Sequence, residues 1–80
     1  MIEWALIDTK KINRIGYDSE VQSLYIDFKG SETDTAYIKV PESLFRSLIH
    51  ARRPDDFFET FVSENYEVAN IPVDFRLKIA

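Results

Sequence analysis

Cysteine is absent from this chain of 80 residues, which excludes disulfides and thiolate metal sites. That absence fits a reducing compartment. Glycine and proline are nearly as scarce, with Gly16, Gly30, Pro41, Pro54 and Pro72 making up the whole set. Two isolated glycines cannot build a phosphate-cradling loop. His50 is the one histidine, so imidazole clusters are excluded, and no nucleophile stands at a recognisable spacing from it. No metal-ligand set and no calcium loop can be assembled from the scattered carboxylates. We expect no enzyme, no cofactor and no metal. No apolar run approaches the roughly 20 residues that cross a bilayer. The first residues, Met1-Ile2-Glu3-Trp4, place an acid early and no base ahead of the apolar positions, unlike a signal peptide. The expected location is the cytoplasm.

What the chain has is aromatic side chains: six Phe, four Tyr and one Trp. A domain this small lies near the lower limit for independent folding. Each aromatic that is buried removes about 150–250 Å² from water, so a core can form without covalent staples. There is no repeat, low-complexity run or linker, and residues 1–80 read as one domain. The formal net charge of −4 disfavours a phosphate-neutralising surface as the main activity.

Hydrophobic periodicity sets the expected elements. Residues 12–17 read as a short strand, followed by the turn chemistry of Asp18-Ser19-Glu20. Leu24, Ile26 and Phe28 alternate with Tyr25 and Asp27 over residues 22–28. A polar loop, 29–34, leads to residues 35–40, where Ala36, Ile38 and Val40 alternate with Thr35, Tyr37 and Lys39. These stretches make an antiparallel meander with one face for the core. Pairing Phe28 with Ala36 and Ile26 with Ile38 keeps that face continuous. Pro41 suits the first position of a helix carrying Leu44, Phe45, Leu48 and Ile49 on one stripe. Pro54, Asp55 and Asp56 open a second helix with the stripe Phe57, Phe58, Phe61 and Val62. Alternation returns at Val73, Phe75, Leu77 and Ile79, and more weakly at Ile2, Trp4 and Leu6. The expected fold is α+β: an antiparallel sheet of a three-stranded meander plus terminal strands, with two short helices on one face.

About residues 7–67 resemble the KTSC domain, a small family named for its occurrence at the C-terminus of some lysyl-tRNA synthetases and found also as stand-alone proteins. The resemblance rests on Thr9 through Gly16-Tyr17-Asp18, on Leu24 and Phe28, on Thr35-Ala36-Tyr37 with Val40-Pro41, and on Phe57-Phe58 and Tyr66. The chain departs from the family pattern at Thr35, where the pattern has a tyrosine, and at Arg53 and Asp55, where it has small residues. Residues 68–80 then form an extra C-terminal strand. The resemblance implies a fold and brings no activity with it.

The candidate interaction surface is Tyr25, Tyr37, Lys39, Arg46, His50, Arg52 and Arg53. The two tyrosines are expected on the sheet face opposite the helices, diagonal neighbours about 7–8 Å apart. They are either a stabilising cross-strand pair or a stacking platform for unpaired bases. Arg46, His50 and Arg53 fall at i, i+4 and i+7, a basic ridge. Helix-dipole complementarity explains that ridge as well as a ligand does. Trp4 reads as a core residue, with an interface anchor as the alternative.

The expected function is a non-catalytic module that binds a protein partner. One form of it is a phage- or mobile-element-encoded inhibitor whose carboxylates occupy a basic groove. An accessory domain for tRNA or single-stranded RNA is the alternative, resting on the family's association and the tyrosine face. A homodimer through a terminal strand is also open.

Overall fold

The computed structural model describes residues 1–69 of the chain. Four strands, β1 (Ile2–Leu6), β2 (Ile12–Asp18), β3 (Ser23–Phe28) and β4 (Thr35–Tyr37), form one antiparallel sheet in the order β1-β2-β3-β4. Helix α1 (Glu42–Ile49) follows. Helix α2 (Pro54–Phe57) continues into a π-helical turn, Phe58–Val62, closed by the Ser63 N–H on the Phe58 carbonyl at 2.9 Å. The fold is α+β, as the alternation and the two helical stripes require.

Local chemistry fixes each reversal. Asp18 Oδ1 accepts from the Glu20 N–H at 3.0 Å, and Gln22 takes φ 54°, so the β2–β3 turn closes tightly. Gly30 takes φ 86°, open to a residue without a Cβ, and Ser31 N–H reaches back to the Phe28 carbonyl at 3.1 Å. Between β1 and β2, Thr9 Oγ1 accepts from the Ile12 N–H at 2.9 Å and donates to Asp55 Oδ1 at 2.5 Å. That one hydroxyl ties the first hairpin to the start of α2.

The core lies between the sheet and the helices. Ile12, Ile15, Tyr17, Leu24, Ile26 and Tyr37 come from the strands, Val40 from the chain leaving the sheet, and Phe45, Leu48, Phe58 and Val62 from the helical segments. Tyr17 stacks on Phe45 with ring centroids 5.2 Å apart, and its buried hydroxyl donates to the Val40 carbonyl at 2.5 Å.

Several expectations are corrected. The β3–β4 pairs are Leu24–Tyr37, Tyr25–Ala36 and Ile26–Thr35, not Ile26–Ile38 and Phe28–Ala36. The offset of three residues is odd, so it exchanges the two faces of β4: Tyr37 turns into the core and Ala36 turns out. The strand also ends at Tyr37, three residues early, because Lys39 adopts φ 58° and breaks the pleat. Pro41 is the N-cap, extended at φ −72° and ψ 150°, and Glu42 is the first helical residue. Phe61 is 48% exposed because the wider π-helical turn shifts it off the stripe that buries Phe58 and Val62. The N-terminal strand exists as β1. The expected strand at 73–79 lies outside the described residues.

Tyr17→Phe keeps the ring on Phe45 and leaves the Val40 carbonyl without its donor. We expect a loss of about 1–3 kcal/mol, read as a lower urea midpoint at unchanged m.

Candidate functional site

With both helices on one side, the other face of the sheet is left to solvent among the described residues. Antiparallel register places Trp4, Gly16, Tyr25 and Ala36 in one row across the four strands of that face. The row is built on a missing side chain. A Cβ at Gly16 would stand 2.7–2.9 Å from three ring atoms of Trp4, so only glycine lets the indole lie down on β2. Tyr25 flanks the indole at 6.3 Å between centroids. The Arg14 guanidinium sits 4.1 Å from the indole centroid, a cation–π contact, while its Nε donates to Asp27 Oδ2 at 3.3 Å. The indole is thus gripped below and beside, yet Trp4 remains 37% exposed. Ile2 and Leu6, on the same face of β1, are exposed too.

β1 is held from its other face by one clamp. Arg46 of α1 donates to both carboxylate oxygens of Glu3, at 2.7 and 2.8 Å, and also to Glu42 one turn back at 3.0 Å. This bidentate geometry is the strong form of the carboxylate–guanidinium pair. The hydrogen bonds from Arg46 hold the Glu3 carboxyl below the usual glutamate range, and the two carboxylates push the Arg46 guanidinium above its own.

The residues expected to form one surface are scattered. Tyr25 is on the outer face as expected. Tyr37 is only 6% exposed and packs edge-on against Phe58 at 5.5 Å, so the tyrosine pair does not exist. Burial raises its phenol pKa. Lys39 is exposed, beyond the end of β4. Arg46 is occupied by Glu3 and Glu42. His50 caps α1, and Arg52 and Arg53 lie past its end, so no helical ridge joins the three basic positions. Pro54 contributes at Arg53, because it disfavours helical backbone at the residue before it, and Arg53 is at φ −125°, ψ 81°. Arg52 and Arg53 line a shallow pocket of about 260 Å³ with Thr9, Pro54, Asp55 and Asp56. The Thr9–Asp55 bond and the 3.7 Å Arg53–Asp56 contact engage four of those six residues with one another. Trp4, expected in the core, belongs to the outer face.

The sequence put Arg14 in a basic cluster with Lys10 and Lys11 and Gly16 in a turn motif, and neither in the candidate surface. Their signal was the hairpin itself: folding the chain about Lys10 sets the one tryptophan opposite one of the two glycines.

Gly16→Val forces the indole off β2. Trp4 is the sole tryptophan, so we expect a red-shifted emission maximum and a stability loss of about 1–2 kcal/mol. A second expectation concerns acid. Glu3 titrates lower in the folded chain than in the unfolded one, so its contribution is complete above the ordinary glutamate pKa of about 4.3 and is lost as pH falls through the lower folded value. Backbone hydrogen exchange in β1 should quicken over that window, and Glu3→Gln should remove the dependence.

Residues 8–66 match the model of the KTSC domain. A KTSC domain protein from Yersinia pestis, known from a crystal structure, superposes with a TM-score of 0.78 at 22% identity, over 85% of this chain and 94% of that one. No curated protein matches the sequence. The chain belongs to the KTSC domain family.

Proposed function

We propose that this KTSC domain is a non-catalytic interaction module that binds a protein partner through the outer face of its sheet. One observation carries the proposal: the sole tryptophan stands 37% exposed on an open sheet, seated on Gly16 and braced by Arg14 and Tyr25. Tryptophan and arginine are enriched where binding energy concentrates. An indole already held in place loses little freedom on binding. Ile2 and Leu6 widen the apolar centre, and the Arg14–Asp27 pair supplies a polar margin of the kind interfaces use. No described helix is long and apolar enough to cross a membrane.

Nucleic-acid binding has less in its favour than the sequence suggested. Tyr37 is buried against Phe58, Arg46 is paired at the surface with Glu3 and Glu42, and the net charge is −4. Its remaining support is the Trp4–Tyr25–Arg14 group.

The test is affinity capture from source cells, followed by titration of the captured protein. We expect Trp4→Ala and Leu6→Asp each to weaken binding at least about tenfold, or 1.4 kcal/mol, while Arg53→Ala leaves it unchanged. Equal affinity for all three variants would remove the outer face from the interface. Amide shifts at Trp4 and Tyr25 with single-stranded RNA that fade with salt would instead favour the nucleic-acid alternative.

A further inference from the structure

β1 is an edge strand: among the described residues its one strand neighbour is β2. The opposite edge of the sheet is engaged. Beyond β4 the Ala69 N–H donates to the Ala36 carbonyl at 2.7 Å, and the Ile38 N–H donates to the Glu67 carbonyl at 3.0 Å.

The ladder decides which backbone groups β1 presents. The Ile7 N–H donates to the Asn13 carbonyl at 3.0 Å, just past the last β1–β2 pair. Hydrogen-bonded and non-hydrogen-bonded pairs alternate along an antiparallel ladder, so Ala5 and Glu3 also bond to β2. Ile2, Trp4 and Leu6 then direct their N–H and C=O groups away from it, toward an edge that can template another strand.

That edge is complementary to itself. Let two β1 strands pair antiparallel, centred on Trp4. Trp4 then faces Trp4 of the second copy, Ile2 faces Leu6, and each pair exchanges both hydrogen bonds. Every outward-directed residue of the strand is used. Ile2 and Leu6, 37% and 83% exposed, cover each other on the outer face. Each indole lies inward over its own Gly16, so the two do not collide at the seam. On the inner face Glu3, already paired with Arg46, falls opposite Ala5.

Neighbouring registers fail. Centring on Glu3 sets two like charges directly opposite, which is destabilising. Centring on Ala5 sets Ile2 against Asp8, whose φ of 52° leaves the strand and whose N–H is held by the Asn13 carbonyl. The helices do not obstruct the seam. Phe45 stacks on Tyr17, which places α1 over β2. Two such helices stand three inter-strand spacings apart, about 14 Å, wider than the roughly 8–10 Å of packed helices.

We propose that two copies of this chain pair through their β1 edges in this register, joining two four-stranded sheets into one continuous sheet with two-fold symmetry. The indoles stay uncovered, so the dimer presents the proposed partner surface twice. It needs no partner protein to form, so its presence and the binding of a partner are separate results.

Sedimentation equilibrium of the full chain, from about 1 μM to 1 mM to reach an interface of small area, tests it. We expect the mass to approach twice the 9.4 kDa of one chain. Ile2→Lys/Leu6→Lys sets lysines opposite each other, and Ile2→Glu/Leu6→Glu does the same with acids. Each double variant alone should stay at the mass of one chain with an unchanged circular dichroism spectrum. Mixing the two should restore the doubled mass, because every such pair is then Lys with Glu. Mixed labelled and unlabelled wild-type protein should show intermolecular NOEs between Ile2 and Leu6, which lie about 13 Å apart along one strand. That measurement keeps the test valid if the variants misfold. A wild-type monomer throughout the range, a dimer that persists in either variant alone with its fold intact, a folded mixture that stays monomeric, or a dimer without the Ile2–Leu6 NOE would each overturn the proposal.

Discussion

The Tyr17 hydroxyl donates to the Val40 carbonyl at the point where the chain leaves the sheet for the helices. The Val40 N–H is held on the other side by the Gln22 carbonyl at 2.9 Å. One peptide segment is thereby fixed between the end of β2 and the β2–β3 turn. Lys39 turns the chain with its positive φ, Pro41 caps α1 in an extended conformation, and Phe45 lands on the Tyr17 ring. These contacts bind the first helix to one side of the sheet. The second follows through the Thr9–Asp55 bond. The exposure of the opposite face, and of the tryptophan on it, is a consequence of where Val40 is held.

Strands and helices were legible in the sequence because each is a local pattern. Alternation marked β2 and β3, and the stripes of Leu44 to Ile49 and Phe57 to Val62 marked the helical segments. Tyr37 was misplaced because register is not local. Alternation is satisfied equally by either parity of β4, and the turn geometry around Gly30 selects between them. The chosen parity gives Phe58 an aromatic neighbour in Tyr37 and sends the small Ala36 outward, next to Tyr25. The basic ridge failed because α1 ends at Ile49 with His50 as its cap, and the sequence signalled only part of this, through Pro54, which disfavours helical backbone at Arg53.

Trp4 was hard to place for a different cause. Tryptophan is usually well buried, and the alternation of Ile2, Trp4 and Leu6 does not say which face of the sheet they occupy. The answer depended on Gly16. In a strand, glycine costs side-chain packing and marks close approach by another group. Here the group is an indole lying across the backbone. Together they recover some of the burial a helix would have supplied.

β1 is gripped on both faces. Glu3 is clamped by Arg46 on the helix side, and Trp4 is seated on Gly16 on the other. A five-residue edge strand would otherwise be prone to fray. Soluble proteins commonly blunt such an edge with charge, proline or a bulge. β1 has no proline. Its single charge, Glu3, is committed to Arg46, and its pairing with β2 is regular from Ile2 to Leu6. The irregularity in that sheet falls on the opposite side of β2, between Ile12 and Arg14, where it does nothing to protect the edge. The edge strand is held from both faces, and among the described residues its outer backbone edge has no strand partner. Its exposed tryptophan is suited to receiving a side chain. Both features lie at this end of the sheet, on the strand that Glu3 and Trp4 hold in place.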